Sequence, residues 1–145
     1  MPFLTGMISH VGSPALRHVT LTVADLAHSL AFYDAALQPL GLQRQAQYAD
    51  EEEDPADVPL KAVAFGATGD EPVLWLVVGS PPTAAVHLAF ACPSRTAVEA
   101  FYAAALANGG ASRQAPRRWE IYRPGYYGAI VADPAGNLVE AFVTE

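Results

Sequence analysis

Cysteine is almost missing from this chain. Cys92 is the only one, which excludes an internal disulfide and any multi-cysteine zinc site. That usage suits a reducing cytoplasm, which is the expected location. Basic residues are scarce too: 8 Lys and Arg stand against 15 Asp and Glu, a formal net charge of −7. No broad cationic surface is left to neutralise phosphates or anionic headgroups, so neither nucleic acid nor a membrane is an expected partner. Apolar runs long enough to span a bilayer are absent as well. The apolar start, Met1 to Ile8, lacks a basic flank and is interrupted by Ser9 to Pro14, so no signal core is expected there. What remains, 145 residues at 52% hydrophobic and 16% charged, reads as one soluble globular domain over 1–145 with room for a sizeable core.

What the chain does have is a copy of itself. At a constant interval of 69 positions, from His18 to His87, the stretch His18–Gln45 runs parallel to His87–Gln114 without a gap. Phe32-Tyr33 returns as Phe101-Tyr102, Ala35-Ala36-Leu37 as Ala104-Ala105-Leu106, Gly41 as Gly110 and Arg44 as Arg113. Asp25 returns as Ser94, and both types accept hydrogen bonds from free N–H groups at a helix start. Two copies of one unit imply pseudo-twofold symmetry, so His18 and His87 are expected at equivalent places.

Residues 16–23 alternate strictly, with Val19, Leu21 and Val23 on one face and His18, Thr20 and Thr22 on the other, as in a half-buried strand. A helix then opens at Asp25, carries Leu26, Leu30, Tyr33, Leu37 and Leu40 on one side, and closes at Gly41. Strands are expected near 42–48, 60–66 and 72–78, with the acidic Asp50–Asp54 in a solvated loop. After Gly79-Ser80-Pro81-Pro82 the second unit starts at 86–91, where His87 shares a face with Ala89 and Ala91. A second helix runs from about 94 to Asn108. An irregular segment bearing Arg113, Arg117 and Arg118 follows, then a hairpin of strands 127–132 and 138–143 around Asp133-Pro134-Ala135-Gly136-Asn137. Each unit, about 16–78 and 86–143, reads βαβββ, which makes the fold α+β.

Glu140 shares a strand face with Leu138 and Phe142. A carboxylate on an apolar strand is costly to desolvate unless it is paired, protonated or bound to a cation. His18 and His87, on the open faces of the two leading strands, are expected to converge with it on one divalent metal. Two imidazoles and a carboxylate leave open positions for substrate or water and suit Fe, Mn, Zn or Ni. The alternative partner for Glu140 is an arginine, Arg113, Arg117 or Arg118, which would leave a cleft that binds ligands without metal. Tyr122, Tyr126 and Tyr127 cluster just before the last hairpin. They can place a phenol over the cleft as a hydrogen-bond donor or weak acid.

The histidine on the first strand, the Asp-x-x-x-Ser-x-x-Phe-Tyr helix (Asp25, Ser29, Phe32, Tyr33), the second histidine heading the second unit and the closing Asp133-Pro134-x-Gly136-Asn137-x-x-Glu140 together resemble the vicinal-oxygen-chelate superfamily. That superfamily includes glyoxalase I, bleomycin-resistance proteins and extradiol dioxygenases, and the likeness covers about 16–143. It implies two tandem βαβββ units forming an incomplete barrel around a cleft, with His18, His87 and Glu140 as metal ligands. Glyoxalase I places a fourth ligand, a glutamate, where this chain has Trp75. Extradiol enzymes place a tyrosine where Ile130 stands and a histidine near Tyr122. The resemblance thus implies metal-dependent chemistry, lyase, isomerase or dioxygenase, on a small substrate that chelates through adjacent oxygens; the alternative is a metal-free drug or metabolite binder. Glu140 and Tyr122 are the expected catalytic residues, with Thr20, Trp75, Tyr126 and Tyr127 as substrate contacts. Dimers are common in this superfamily, and apolar helix faces permit a homodimer here.

Overall fold

In the computed structural model, which describes residues 15–49 and 60–145, the first alternation becomes strand β1 (Val19–Val23), with Leu21 and Val23 buried and Thr20 exposed. The apolar start of the chain and the whole of the acidic Asp50–Asp54 stretch fall outside the described residues. Asp25 caps helix α1 (Leu26–Leu37) by accepting from His28 N–H at 3.1 Å. Its Leu26, Leu30, Tyr33 and Leu37 are all buried, as their spacing predicts. A short 3₁₀ turn (Gln38–Leu40) extends it to Gly41, whose φ of +82° is the left-handed conformation that glycine adopts at least cost. Strands β2 (Gln43–Tyr48), β3 (Ala62–Gly66) and β4 (Leu74–Val78) complete the unit.

The second unit repeats the order: β5 (His87–Ala91), α2 (Arg95–Ala107), β6 (Ala111–Arg118), β7 (Tyr126–Ala132) and β8 (Leu138–Thr144). Ser94 caps α2 by accepting from Ala97 N–H at 3.1 Å. β6 occupies the segment expected to be irregular. Its side chains are mostly exposed and show no apolar alternation, its pairing with β7 is broken twice, and it carries Pro116, all of which an edge strand tolerates.

Each unit forms its own four-stranded mixed sheet, in the orders β1-β4-β3-β2 and β5-β8-β7-β6, with first and last strands parallel. The two sheets do not join into a closed barrel. Register confirms the internal alignment. Thr20 lies opposite Trp75 and Trp75 opposite Ala64, while Ala89 lies opposite Glu140 and Glu140 opposite Ile130. Trp75 is therefore the positional mate of Glu140.

The units meet through their helices. α1 packs on α2, and one buried cluster runs from Leu21, Phe65 and Leu76 through Phe32 and Phe101 to Val131, Val139 and Ala141. Side chains alternate across a strand, so the residues between these core positions are turned to the other face of each sheet. Truncating an inner ring such as Phe101 to alanine should cost about 3–5 kcal/mol.

A buried polar network reinforces this joint. Tyr33 O–H donates to Asp133 Oδ2 at 2.6 Å, while Asp133 Oδ1 accepts from the Ala135 and Asn137 amides at 2.9 and 2.8 Å. Asn137 accepts from Val86 N–H at 3.0 Å and donates to Thr83 C=O at 2.9 Å; Thr83 Oγ1 in turn accepts from Thr22 N–H at 2.8 Å. The closing turn thus ties the second hairpin to α1, to β1 and to the connector. Burial, reinforced by Asp133, pushes the Tyr33 hydroxyl well above its ordinary pKa. Among the described residues no helix is long and apolar enough to cross a membrane.

Candidate functional site

On the open face of the second sheet, the parallel pairing of β5 with β8 puts His87 opposite Leu138 and brings it diagonally against Glu140, two residues further along. His87 Nε2 and Glu140 Oε1 are 2.9 Å apart. The glutamate side chain is only 12% exposed, whereas the histidine is 47% exposed and reachable from solvent. Tyr126, across the hairpin on β7, donates its hydroxyl to Glu140 Oε2. The carboxylate is therefore satisfied by an imidazole and a phenol rather than by Arg113, Arg117 or Arg118. Burial first, and then the bond to Glu140, raise the Tyr126 pKa, which keeps the phenol protonated at neutral pH as a donor.

These groups sit in a cavity of about 750 Å³ whose lining includes Ala89, Ile130 and Phe142 and, from the loop before β7, Trp119, Tyr122 and Arg123. Tyr126 stacks on Phe142 with ring centroids 5.0 Å apart, and Tyr122 meets Tyr126 edge-on at 5.0 Å. The volume matches that of small-molecule sites, as does the composition of apolar walls around a few polar groups. Tyr122, expected as a catalytic residue, lies at the rim, 71% exposed, with no side-chain hydrogen bond among the described residues; the phenol in contact with Glu140 is Tyr126.

The remaining expected residues are elsewhere. His18, just ahead of β1, is exposed on the first sheet, its ring 6.4 Å from that of Trp75. Trp75 stacks on Tyr48 at 5.8 Å, and Thr20 is its exposed neighbour. Among the described residues no three His, Cys, Asp or Glu side chains are grouped closely enough to hold an ion. The triad is thus not assembled within one copy, because β1 and β5 belong to separate sheets joined through the helices. Trp75 and Thr20 likewise do not line the cavity, and neither does Tyr127. Tyr127 follows Tyr126 on the same strand and so faces the other way, where its hydroxyl donates to Glu99 at 3.0 Å and its ring lies under the Arg95 guanidinium at 4.8 Å.

Sequence reasoning missed the bond from Tyr126 to Glu140 and the contributions of Trp119 and Arg123. The first had a signal: counting back from the Asp133–Asn137 turn pairs Ile130 with Glu140 and places 126, 128 and 130 on the face of 140 and 142. Trp119 and Arg123 come from a loop with no periodicity to read.

The donor pair fits a metal in part. Two cis ligands at bonds of about 2.0–2.2 Å stand roughly 3 Å apart, and His87 Nε2 and Glu140 Oε1 are separated by 2.9 Å. Bound there, an ion would leave Glu140 Oε2 to Tyr126, an outer-sphere contact of the kind that orients a ligating carboxylate. A metal held there would need a third protein donor from outside this face.

A profile of the Glyoxalase/Bleomycin resistance protein/Dioxygenase superfamily matches residues 15–141. The chain belongs to that superfamily, as the resemblance in its residues implied. A glyoxalase/bleomycin resistance protein from Albidiferax ferrireducens T118 is similar over 91% of this chain and 100% of its own, with 26% identity and a TM-score of 0.70. The fold also matches FosX, a genomically encoded fosfomycin resistance protein from Listeria monocytogenes, at 18% identity and TM-score 0.62, covering 92% of this chain and 95% of that one. TioX from Micromonospora sp. ML1 shares it at 15% identity and TM-score 0.59, over 88% and 94% of the two chains. Curated protein sequences give no match.

Proposed function

We propose that the cavity of the second unit is a small-molecule site that performs divalent-metal-dependent chemistry on a substrate chelating through adjacent oxygens. The observation that carries this reading is the His87–Glu140 pair at coordination spacing, beside an aromatic-walled cavity large enough for a ligand. A cation held by the pair would act as a Lewis acid on a substrate oxygen. The chain's own residues do the rest: Tyr126 fixes the orientation of Glu140 and keeps its proton, and the surrounding rings exclude water. Lyase, isomerase and dioxygenase outcomes all share these parts.

The third donor in this reading is His18 of a second copy. His18 is exposed on a face that also exposes Leu16, Tyr48 and Val73, an apolar surround of the kind protein interfaces cover. In a twofold homodimer with the first sheet of one copy facing the second sheet of the other, each cavity gains one His18. Trp75, Thr20 and Tyr48 then become part of its wall.

The test is complementation. His18→Ala and Glu140→Ala should each abolish metal uptake by chelator-free protein, and a refolded mixture of the two should regain one intact site per mixed dimer. Failure of the mixture to regain metal, with each variant folded, would place His18 outside the site. The second reading, a metal-free binder, is favoured by one observation: Glu140 already has a partner on each oxygen and needs no cation. Wild-type protein that takes up ligand but no divalent ion would establish it.

A further inference from the structure

We infer that the ligand class of this cavity is a planar aromatic bearing an anionic group, held by that group to Arg123. The inference rests on the cavity being the small-molecule site but not on whether a metal is bound there.

The walls select for flatness. Trp119, Tyr122, Tyr126 and Phe142 give the cavity four rings, two of them stacked at an interplanar angle of 12°. Arg117 lies over the Trp119 ring, 4.2 Å from its centroid, and so helps hold the indole in place. An aromatic guest can stack on or edge into such surfaces, gaining more than an aliphatic group of equal area.

The charge follows from an arginine that lines the cavity without a carboxylate partner. This chain has nearly twice as many acidic as basic residues, 15 against 8, so a guanidinium should readily find a carboxylate. Arg17, Arg44 and Arg95 do, at 2.5 Å to Glu71, 2.5 Å to Asp34 and 2.9 Å to Glu145. Arg113, Arg117, Arg118 and Arg123 have no such partner among the described residues, and of these four only Arg123 lines the cavity. A guanidinium offers a planar fork of donors that matches a carboxylate two bonds at a time. Glu140 does not spoil the match, because it lies low in the cavity with both oxygens engaged by His87 and Tyr126, whereas Arg123 is exposed at the rim. The anionic end of the ligand therefore belongs at the rim, and its oxygen-donor or neutral end belongs at the floor.

Isothermal calorimetry on the intact protein with three probes tests this: 2-naphthoate, its neutral analogue 2-naphthamide, and the non-aromatic cyclohexanecarboxylate. A charge-assisted pair should make naphthoate bind about tenfold or more tightly than the neutral amide, and stacking on the aromatic walls should make it bind more tightly than cyclohexanecarboxylate, which keeps the charge but lacks the ring. Arg123→Gln should erase the preference for naphthoate over naphthamide while leaving naphthamide affinity unchanged, and Arg123→Lys should keep part of it. Arg123 is exposed, so both variants should melt as the wild type does. Equal affinity for naphthoate and naphthamide would overturn the assignment to Arg123 while leaving the small-molecule reading intact. Equal affinity for cyclohexanecarboxylate would overturn the aromatic class. If no probe binds, the ligand class falls, and uptake of metal or its loss in Glu140→Ala decides the site reading separately.

Discussion

The two sheets carry matching rows of residues with opposite chemistry. Across the first run Thr20, Trp75 and Ala64; across the second, at the same register, run Ala89, Glu140 and Ile130. Behind both rows the inward positions stay aliphatic and buried, Leu74 and Leu76 in one unit and Val139 and Ala141 in the other. The side of each strand that packs the core is alike in the two units, and the side that faces out differs. The first unit presents an aromatic shelf with one histidine, His18. The other presents a cavity with a largely covered acid, and in the dimer reading each needs the other.

The comparison breaks most sharply at Glu140. Glu140→Ala should lower ligand or metal affinity by about a hundredfold or more, since a carboxylate kept on an apolar strand serves binding at the expense of packing. Calorimetry beside a thermal melt checks this, with the melting temperature expected to move by only a few degrees. A large loss of stability with binding intact would make Glu140 a structural partner of Tyr126 and His87.

Next in size is the contrast between equivalent tyrosines. Tyr33 reaches across to Asp133 in the other unit and is fully buried, whereas its mate Tyr102 donates locally to Ser112 at 2.7 Å near solvent. Tyr33→Phe should therefore cost about 1–2 kcal/mol in chemical denaturation and Tyr102→Phe under about 0.5. The pH dependence should follow the same residue. Its pKa is raised in the folded state above the ordinary 10.0, so its contribution is fully present below about pH 10 and is lost as pH rises beyond that. Stability measured between neutral pH and pH 11 should fall less steeply in Tyr33→Phe.

A smaller effect is expected at Trp75. Trp75→Glu gives the first sheet the acid that the second has at that register. It should alter ligand selectivity or metal affinity several-fold, with less than about 1 kcal/mol of stability at this half-exposed position. Unchanged values for both would remove the shelf from the site and with it the facing-sheet dimer. The smallest effect belongs to Tyr127→Phe. It should leave ligand binding unchanged and stability within about 0.5 kcal/mol, because Tyr127 faces α2 and an exposed glutamate.

The repeat and strand parity made much of this legible. They located both helices and their caps and brought His87 and Glu140 together, though around a metal rather than in the direct contact the structure shows. What they could not reveal is how two units dock. Alternation says which residues share a face of one sheet, but not whether two such faces look at each other. The expectation that His18 and His87 would meet in one copy assumed that they do. Tyr127 falls outside the cavity because adjacent strand residues point opposite ways, which three clustered tyrosines do not reveal. β6 was legible only by analogy with the first unit, since its own residues carry no alternation.

The Tyr33–Asp133–Asn137 network has a consequence for how the molecule melts. Tandem repeats are free to unfold one at a time when little joins them. Here the turn that begins the Glu140 strand also grips the first unit's helix and the connector, within a core shared by both. Losing either unit strips the other of buried partners, so the chain should come apart in a single cooperative transition, and a cavity that binds ligand reports on the integrity of both halves.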